Sequence, residues 1–150
     1  MPVELNPARR LLVRRLLSEL VRDCASMEAT YWSLEEDPPA LRALVNAGPN
    51  PAKLENLAVP LEGSLVGMVA NTGMAAAMGP EAVYHPAADA ATGTRTEAMA
   101  AAPVYLEGRV AGVLSTINPA MGGLFSPEDM ERVQWRALLL GCLLEHWTRG

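Results

Sequence analysis

The chain has 150 residues, which is enough for one domain of common size. Hydrophobic residues make up 50% of it and charged residues 19%, a balance that predicts a folded globular protein and excludes a disordered tail or a fibrous repeat. The formal net charge of -5 argues against a protein that holds nucleic acid mainly through phosphate contacts.

The two cysteines indicate a reducing compartment, the cytoplasm. Cys24 and Cys142 lie far apart and neither belongs to a CxxC or Cys/His cluster, so no disulfide framework or zinc site is expected. Arg14 and Arg15 interrupt the apolar run near the start, and the pattern therefore predicts no signal peptide. Glycines and polar residues break the charge-free stretch 63–80, so no membrane contact is expected.

Two long amphipathic helices are predicted near the ends of the chain. The first belongs to segment 1–27 and starts at Asn6, with Pro7 at the first helical position. The last covers 126–148, where Ser126 is a natural cap and Asp129 can complete a weak capping box.

Each of these helices carries two apolar rows, and one sheet can cover only one row. The second rows are expected to meet a second copy of the chain, and a parallel pair of chains would form a four-helix bundle. The predicted contacts of this homodimer are Val13, Leu17, Leu20, Cys24, Leu140, Leu144 and Trp147.

The segment between the helices, 28–125, changes to the periodicity of strands. It contains two predicted hairpins, two short helices between them and one further strand. In chain order these are strands 31–34 and 40–45, helices 51–57 and 64–70, and strands 82–85, 98–106 and 109–117. This order predicts one α+β domain over 1–150, with an antiparallel sheet, the terminal helices packed on one face, and short helices and loops over the other.

The stretch from Val59 to Asp129 resembles the GAF domain family. The matching features are turn glycines, a strand proline and an acidic helix start, in the family's order and spacing. They are Pro60, Gly63, Gly67, the small-residue helix ending at Gly73, the loop 89–96, Pro103, Gly112, Val113, Asn118 and the segment 125–129. The resemblance implies a stand-alone sensory or regulatory module that signals through its terminal helices to a partner protein.

The resemblance also implies where a ligand would lie, namely on the sheet face opposite the terminal helices. The implied walls are Met68, Tyr84, His85, Asp89, Arg95, Met99, Ala101 and Thr116. Two interpretations stay open: a small-molecule sensor, or a dimerising protein-interaction module whose pocket its own side chains fill. One anion, one cation and one imidazole among apolar walls predict a small, apolar or zwitterionic ligand, with Arg95 holding any carboxylate.

No pattern for catalysis, metal binding or a cofactor is visible. The chain has no Gly-x-Ser-x-Gly elbow and no phosphate-binding loop, and its two histidines are far apart. Free methionine sulfoxide reductases of the family need a reactive thiolate, whereas both cysteines lie on helix rows that predict packing. No cysteine between residues 59 and 118 is available for bilin attachment, and Pro119 stands where cyclic-nucleotide-binding members carry lysine.

Overall fold

The computed structural model describes residues 3–82, 84 and 86–149. Within that part, the fold consists of a six-stranded sheet, two long helices near the ends of the chain, and three short helices between them in sequence. The elements are α1 (Pro7–Cys24), β1 (Ser26–Glu36), β2 (Pro39–Ala47), α2 (Pro51–Leu54), β3 (Ala58–Pro60), α3 (Leu65–Thr72), β4 (Ala76–Met78), α4 (Pro86–Thr92), β5 (Met99–Leu106), β6 (Arg109–Pro119) and α5 (Pro127–Arg149).

The sheet has the order β3-β2-β1-β6-β5-β4, and every neighbouring pair is antiparallel. Because side chains alternate between the two faces of a strand, the sheet supports two separate cores. One core lies under α1 and α5, and the other lies under α2 and α3. The predicted α+β architecture is therefore confirmed.

The N-terminal ends of both long helices are capped by the predicted residues. The Asn6 side chain accepts a hydrogen bond from the Arg9 backbone at 2.8 Å, and α1 begins at Pro7. Ser126 and Asp129 bond reciprocally, each side chain accepting from the other residue's backbone N–H at 3.1 Å. This arrangement is a full capping box at the start of α5.

The two predicted hairpins are present, and the region between them differs from the prediction. Glu107 and Gly108 both have positive φ angles, as a tight two-residue hairpin turn requires. The predicted strand 82–85 is not a strand at Ala82 or Tyr84, and its other two positions lie outside the described residues. The strands β3 and β4 were not predicted, because three-residue edge strands are too short to show alternation.

The residues predicted for the dimer interface lie instead in the protomer's own core. Val13, Leu17, Leu20, Leu140 and Leu144 are at most 1% exposed, and all pack against the sheet. Two further members of the predicted set differ slightly: Cys24 is 5% exposed in the same core, and Trp147 is half-buried with the Arg9 guanidinium 5.3 Å from its ring centre. The interface assignment is thus corrected for the six core residues.

Small residues explain why this row of α5 is the buried one. Ala100 and Ala102 of β5 face α5, and a Cβ on Gly141 would lie only 2.5 Å from the Tyr105 carbonyl oxygen. The helix therefore approaches the sheet closely along the row that contains Gly141 and Leu140. Its other apolar row stays outside.

That other row is exposed on both long helices. Leu11 is 69% exposed on α1, and Trp135 and Leu138 are 58% and 59% exposed on α5. Cys142 is also exposed, so it does not have the packing role that the sequence predicted. We call the surface formed by Leu11, Leu12, Trp135, Leu138, Leu139 and Cys142 the outer row.

Alanine substitutions of one buried and one exposed leucine of α1 test this correction. We expect Leu17→Ala to lower the free energy of unfolding by about 2–5 kcal/mol, because it opens a cavity in the protomer core. The control Leu11→Ala should change it by less than about 0.5 kcal/mol at protein concentrations low enough to keep the chain monomeric. Urea unfolding measures both values, and equal effects would contradict the assignment of Leu17 to the core.

Candidate functional site

The sheet face opposite the terminal helices is largely filled by the protein itself. Side chains of α3, including Val66 and Val69, pack on Met99 and Ala101 of β5 and on Val113 of β6. Each of these residues is at most 7% exposed. The helix is held close by Gly67, where a Cβ would lie 1.7 Å from the Leu61 carbonyl oxygen.

A small polar cavity of about 30 Å³ remains beneath α4. This volume suits about one water molecule. Its polar walls are Glu28 and Thr30 of β1, Ser115 of β6, and Asp89, Thr92 and Thr96 around α4. The lining residues within the described part of the chain include no basic side chain.

Hydrogen bonds fix the walls of this cavity. The Asp89 carboxylate accepts from the Thr96 hydroxyl at 2.7 Å and from the Thr96 backbone N–H at 3.0 Å, which ties α4 to the loop before β5. The Trp32 indole N–H donates to Ser115 Oγ at 3.0 Å on the floor of the cavity.

The structure gathers only part of the predicted ligand site. Asp89 and Met99 line the cavity, and Ala101 is buried in the adjacent core beside α3. Met68 is 44% exposed and points away from that core, while the Tyr84 hydroxyl donates to the Met78 and Gly79 carbonyl oxygens at 3.1 and 2.7 Å.

Two further predicted residues lie elsewhere, and one is not described. Arg95 is exposed, and its backbone carbonyl accepts a hydrogen bond from Asn118 Nδ2 at 2.9 Å. Thr116 pairs with Ala29 and Ala100 on the helix side of the sheet, so it is on the wrong face for this pocket. Thr116 was implied only by the family resemblance, and the register of β6 places Ser115 on the pocket face instead. His85 lies outside the described residues.

Glu28 and Asn46 are buried polar residues that the sequence analysis missed. Glu28 is 8% exposed, and Asn46 is fully buried. Asn46 Nδ2 donates to Thr30 Oγ1 at 2.8 Å, whereas its Oδ1 has no partner. The sequence carried no signal for them, because Glu28 precedes the predicted strand 31–34 and Asn46 follows the predicted strand 40–45.

The surroundings of this pair raise the pKa of Glu28. Burial raises the pKa of the Glu28 carboxyl, the hydrogen bond with Asn46 opposes that rise, and the Asp89 charge adds to it. A Cβ on Gly48 would lie 2.7 Å from Glu28 Oε2 and 3.1 Å from Asn46 Oδ1, so both atoms lie beside Gly48. A protonated Glu28 supplies the donor that Asn46 Oδ1 lacks.

The backbone of Asn46 connects this face to the helix side. Its N–H donates to Glu55 Oε2 at 2.9 Å, and the same oxygen accepts from Arg14 of α1 at 2.8 Å. The ion pair is partly shielded, with Arg14 30% and Glu55 16% exposed.

A larger groove of about 630 Å³ lies on the helix side, between α5, β5 and the segment 73–75. Its walls are mostly apolar or small side chains, and Gln134 and Glu145 are the polar side chains of α5 on its rim. The lining includes Met74, Ala102, Tyr105, Ala137, Leu138, Gly141 and Cys142. The outer row of α5 borders this groove directly.

Metal-binding clusters and membrane-spanning helices are absent from the described residues. Their His, Cys, Asp and Glu side chains form no group of three or more that could hold a metal ion. No helix in the same part of the chain is long and apolar enough to cross a membrane.

The chain belongs to the GAF domain family, whose model matches residues 9–141. Similar solved structures include the GAF-B domain of DevS from Mycobacterium smegmatis, with 16% identity, a TM-score of 0.75 and coverage of 96% of both chains. Another is the GAF domain of a phosphoenolpyruvate-protein phosphotransferase from Coxiella burnetii, with 14% identity, a TM-score of 0.78, and coverage of 98% of this chain and 88% of that one.

A third similar structure is an enzyme, the type II free methionine-R-sulfoxide reductase from Thermoplasma acidophilum. It is 15% identical, with a TM-score of 0.72 and coverage of 96% of this chain and 97% of that one. At these identities the likeness establishes the fold alone. No curated protein matches the chain.

Replacing Glu28 by glutamine tests the protonated state. A carboxyl whose pKa is raised by folding contributes stability at low pH, and this contribution is lost as the pH rises through the folded-state pKa. Glu28→Gln carries no charge and keeps a donor for Asn46 Oδ1, so we expect it to match the wild type at about pH 4 and to be more stable at about pH 8.

Urea unfolding midpoints measure this difference, and Glu62, which is exposed and lies outside α1 and α5, supplies the control substitution Glu62→Gln. That control should follow the wild type at both pH values. A Glu28→Gln variant that is less stable than the wild type at high pH would show that Glu28 is needed as an anion.

Proposed function

We propose that this chain is a non-catalytic regulatory GAF module that works as a homodimer through α1 and α5. In this proposal its ligand face is filled by its own side chains, and a partner protein responds to the dimer. The observation that carries the proposal is the outer row, an apolar surface that the protomer itself leaves uncovered.

The geometry of α1 and α5 supports one shared surface. Arg9 near the start of α1 lies over Trp147 near the end of α5, and Asp23 forms an ion pair with Arg136. The two helices are therefore antiparallel neighbours, and each carries exposed apolar side chains, such as Leu11 on α1 and Trp135 on α5. Exposed apolar residues that are neighbours on one helix, such as Trp135, Leu138 and Leu139 of α5, are typical of a protein interface.

The packing of the sheet face under α3 and α4 supports a module without a ligand on that face. Ligand pockets commonly enclose about 300–1,000 Å³. The cavity beneath α4 has about 30 Å³. Val66 and Val69 take the space above the sheet that a ligand would need.

The environment of the cysteines supports a non-catalytic role. Burial, assisted by the Asp129 charge, raises the pKa of Cys24 to about 12, so its thiolate is scarce at neutral pH. Cys142 is exposed on α5, while Cys24 is in the protomer core, so the pair lacks the paired accessible thiols of a reductase cycle.

A small-molecule sensor is the second candidate, and one observation favours it. The helix α4 covers the polar cavity but contributes no buried residue to the fold, and the Asp89–Thr96 bonds hold it in place. Displacement of α4 would open a site with carboxyl and hydroxyl groups. Such a site favours a small polar ligand with a donor or cationic group.

The homodimer can be tested by sedimentation. We expect the wild type to be a dimer at about 100 μM, and Leu138→Lys to be a monomer, because a charge replaces an apolar contact in the outer row. Met121→Lys is the control, since Met121 is 95% exposed in the loop before α5 and lies outside the outer row. A monomeric wild type would overturn the proposal.

Calorimetry with cyclic GMP and cyclic AMP tests the closed ligand face. We expect no binding tighter than about 100 μM, since the cavity cannot hold a nucleotide and has no basic side chain among its described walls. Tighter binding of either nucleotide would favour the sensor over the interaction module.

A further inference from the structure

The two hairpins of the sheet separate at one end and leave a fork between them. The pairing of β1 with β6 ends at Ser33 and Gly112, although β1 continues to Glu36 and β6 starts at Arg109. Beyond that pair, β1 pairs with β2 and β6 pairs with β5. The backbone edges that face each other across the fork are therefore not joined by a ladder, and a strand edge of this kind offers hydrogen-bonding groups to another molecule.

A cavity of about 580 Å³ lies in this fork, beside the end of α5. We call it the fork cavity. Among the described residues, it shares no lining residue with the cavity beneath α4 or with the helix-side groove. Its volume is in the range of small-molecule pockets. Its apolar walls come from both hairpins, from α5 and from the segment before α1, and they are Val3, Leu34, Leu106, Val110, Ala111 and Leu144.

Two buried hydroxyl side chains form the floor of the fork cavity. Tyr31 and Ser33 both line it, and they are only 3% and 4% exposed. Tyr31 is paired with Leu114 of β6, yet a Cβ on Gly112 would lie 2.9 Å from Tyr31 Cε1. The Tyr31 ring therefore leans along β6 towards the fork, and the absence of a side chain at Gly112 gives it the room to do so.

These two hydroxyls leave one donor unused. Burial raises the pKa of Tyr31 to about 12, which keeps its hydroxyl protonated, and a hydrogen bond with Ser33 opposes that rise. Two hydroxyls that bond to each other use one O–H and leave the second free. Within the described part of the chain, neither hydroxyl donates to any other group. Because a buried donor without an acceptor is unfavourable, the floor favours a molecule that brings an acceptor atom.

The mouth of the fork cavity carries charges of both signs. Arg109, Glu36 and Glu107 line it, and all three are exposed. None of them forms an ion pair with another described residue. One free cation beside two free anions complements a molecule that has both a carboxylate and an ammonium group.

We propose that the fork cavity binds a free amino acid whose mainly apolar side chain ends in a hydroxyl, as that of tyrosine does. The ligand hydroxyl accepts from the floor, and its apolar body lies between Leu106 and Leu144. The carboxylate binds Arg109, and the ammonium group binds the two glutamates at the mouth. This inference goes beyond the proposed function, because it gives the module a small-molecule input beside α5, and it does not depend on the homodimer.

Calorimetry with matched ligands tests each part of this assignment. We expect L-tyrosine to bind with a dissociation constant below about 1 mM. L-Phenylalanine lacks the acceptor for the floor and should bind about fivefold more weakly. Tyramine lacks the carboxylate for Arg109 and should bind about tenfold more weakly.

Variants of the floor and the mouth should change these affinities selectively. The double variant Tyr31→Phe/Ser33→Ala should weaken L-tyrosine about fivefold and leave L-phenylalanine unchanged, which also shows that the variant is folded. Arg109→Gln should weaken L-tyrosine about tenfold and leave tyramine unchanged. Arg95→Gln is the matched control, since Arg95 is exposed and lies outside the fork cavity.

Three results would overturn the inference. The first is no binding of L-tyrosine at about 1 mM. The second is an affinity for L-tyrosine that Arg95→Gln lowers and Arg109→Gln does not, which would place the ligand elsewhere. The third is a floor variant that weakens both amino acids equally. Sedimentation measures the homodimer separately, so a monomeric wild type would leave this inference standing.

Discussion

The structure depends on a sheet that is covered on both faces, with β5 as its thinnest part. Ala98, Ala100 and Ala102 in and beside β5 face the terminal helices, and Ala101 faces α3. Because these side chains are small, α5 and α3 both approach the sheet closely. One consequence is that the sheet face under α3 is nearly filled by side chains. The other is that α5 buries a narrow row of residues and leaves a second apolar row exposed.

The polar residues inside this sheet are a cost that hydrogen bonding only partly offsets. An unpartnered buried polar atom lowers stability by about 1–3 kcal/mol, and Asn46 Oδ1 is such an atom unless Glu28 is protonated. The same asparagine is joined through its backbone to Glu55 and hence to Arg14 of α1. The surroundings of Glu28 and Asn46 are therefore connected to the helix side by a short series of hydrogen bonds.

The sequence predicted the parts of the fold that depend on local signals. Caps at Asn6 and Ser126 and the turn at Glu107 gave the long helices and the second hairpin, because each signal acts within a few residues. Which apolar row of a helix faces the sheet depends on tertiary packing. The prediction that Leu17 and Leu140 lie in a dimer interface was therefore wrong. The position of Thr116 was also wrong, because the family resemblance does not fix the register of β6, and a shift of one residue moves a side chain to the other face of the sheet.

The buried row and the outer row of α5 have different physical roles. Its inner row is fixed by the alanines of β5, so substitutions there change the stability of the protomer. Its outer row contributes nothing to that core, yet it retains Trp135, Leu138 and Leu139 between charged ends. Exposed apolar residues of this size weaken solubility unless a partner covers them. The outer row is the surface that the proposed homodimer would cover.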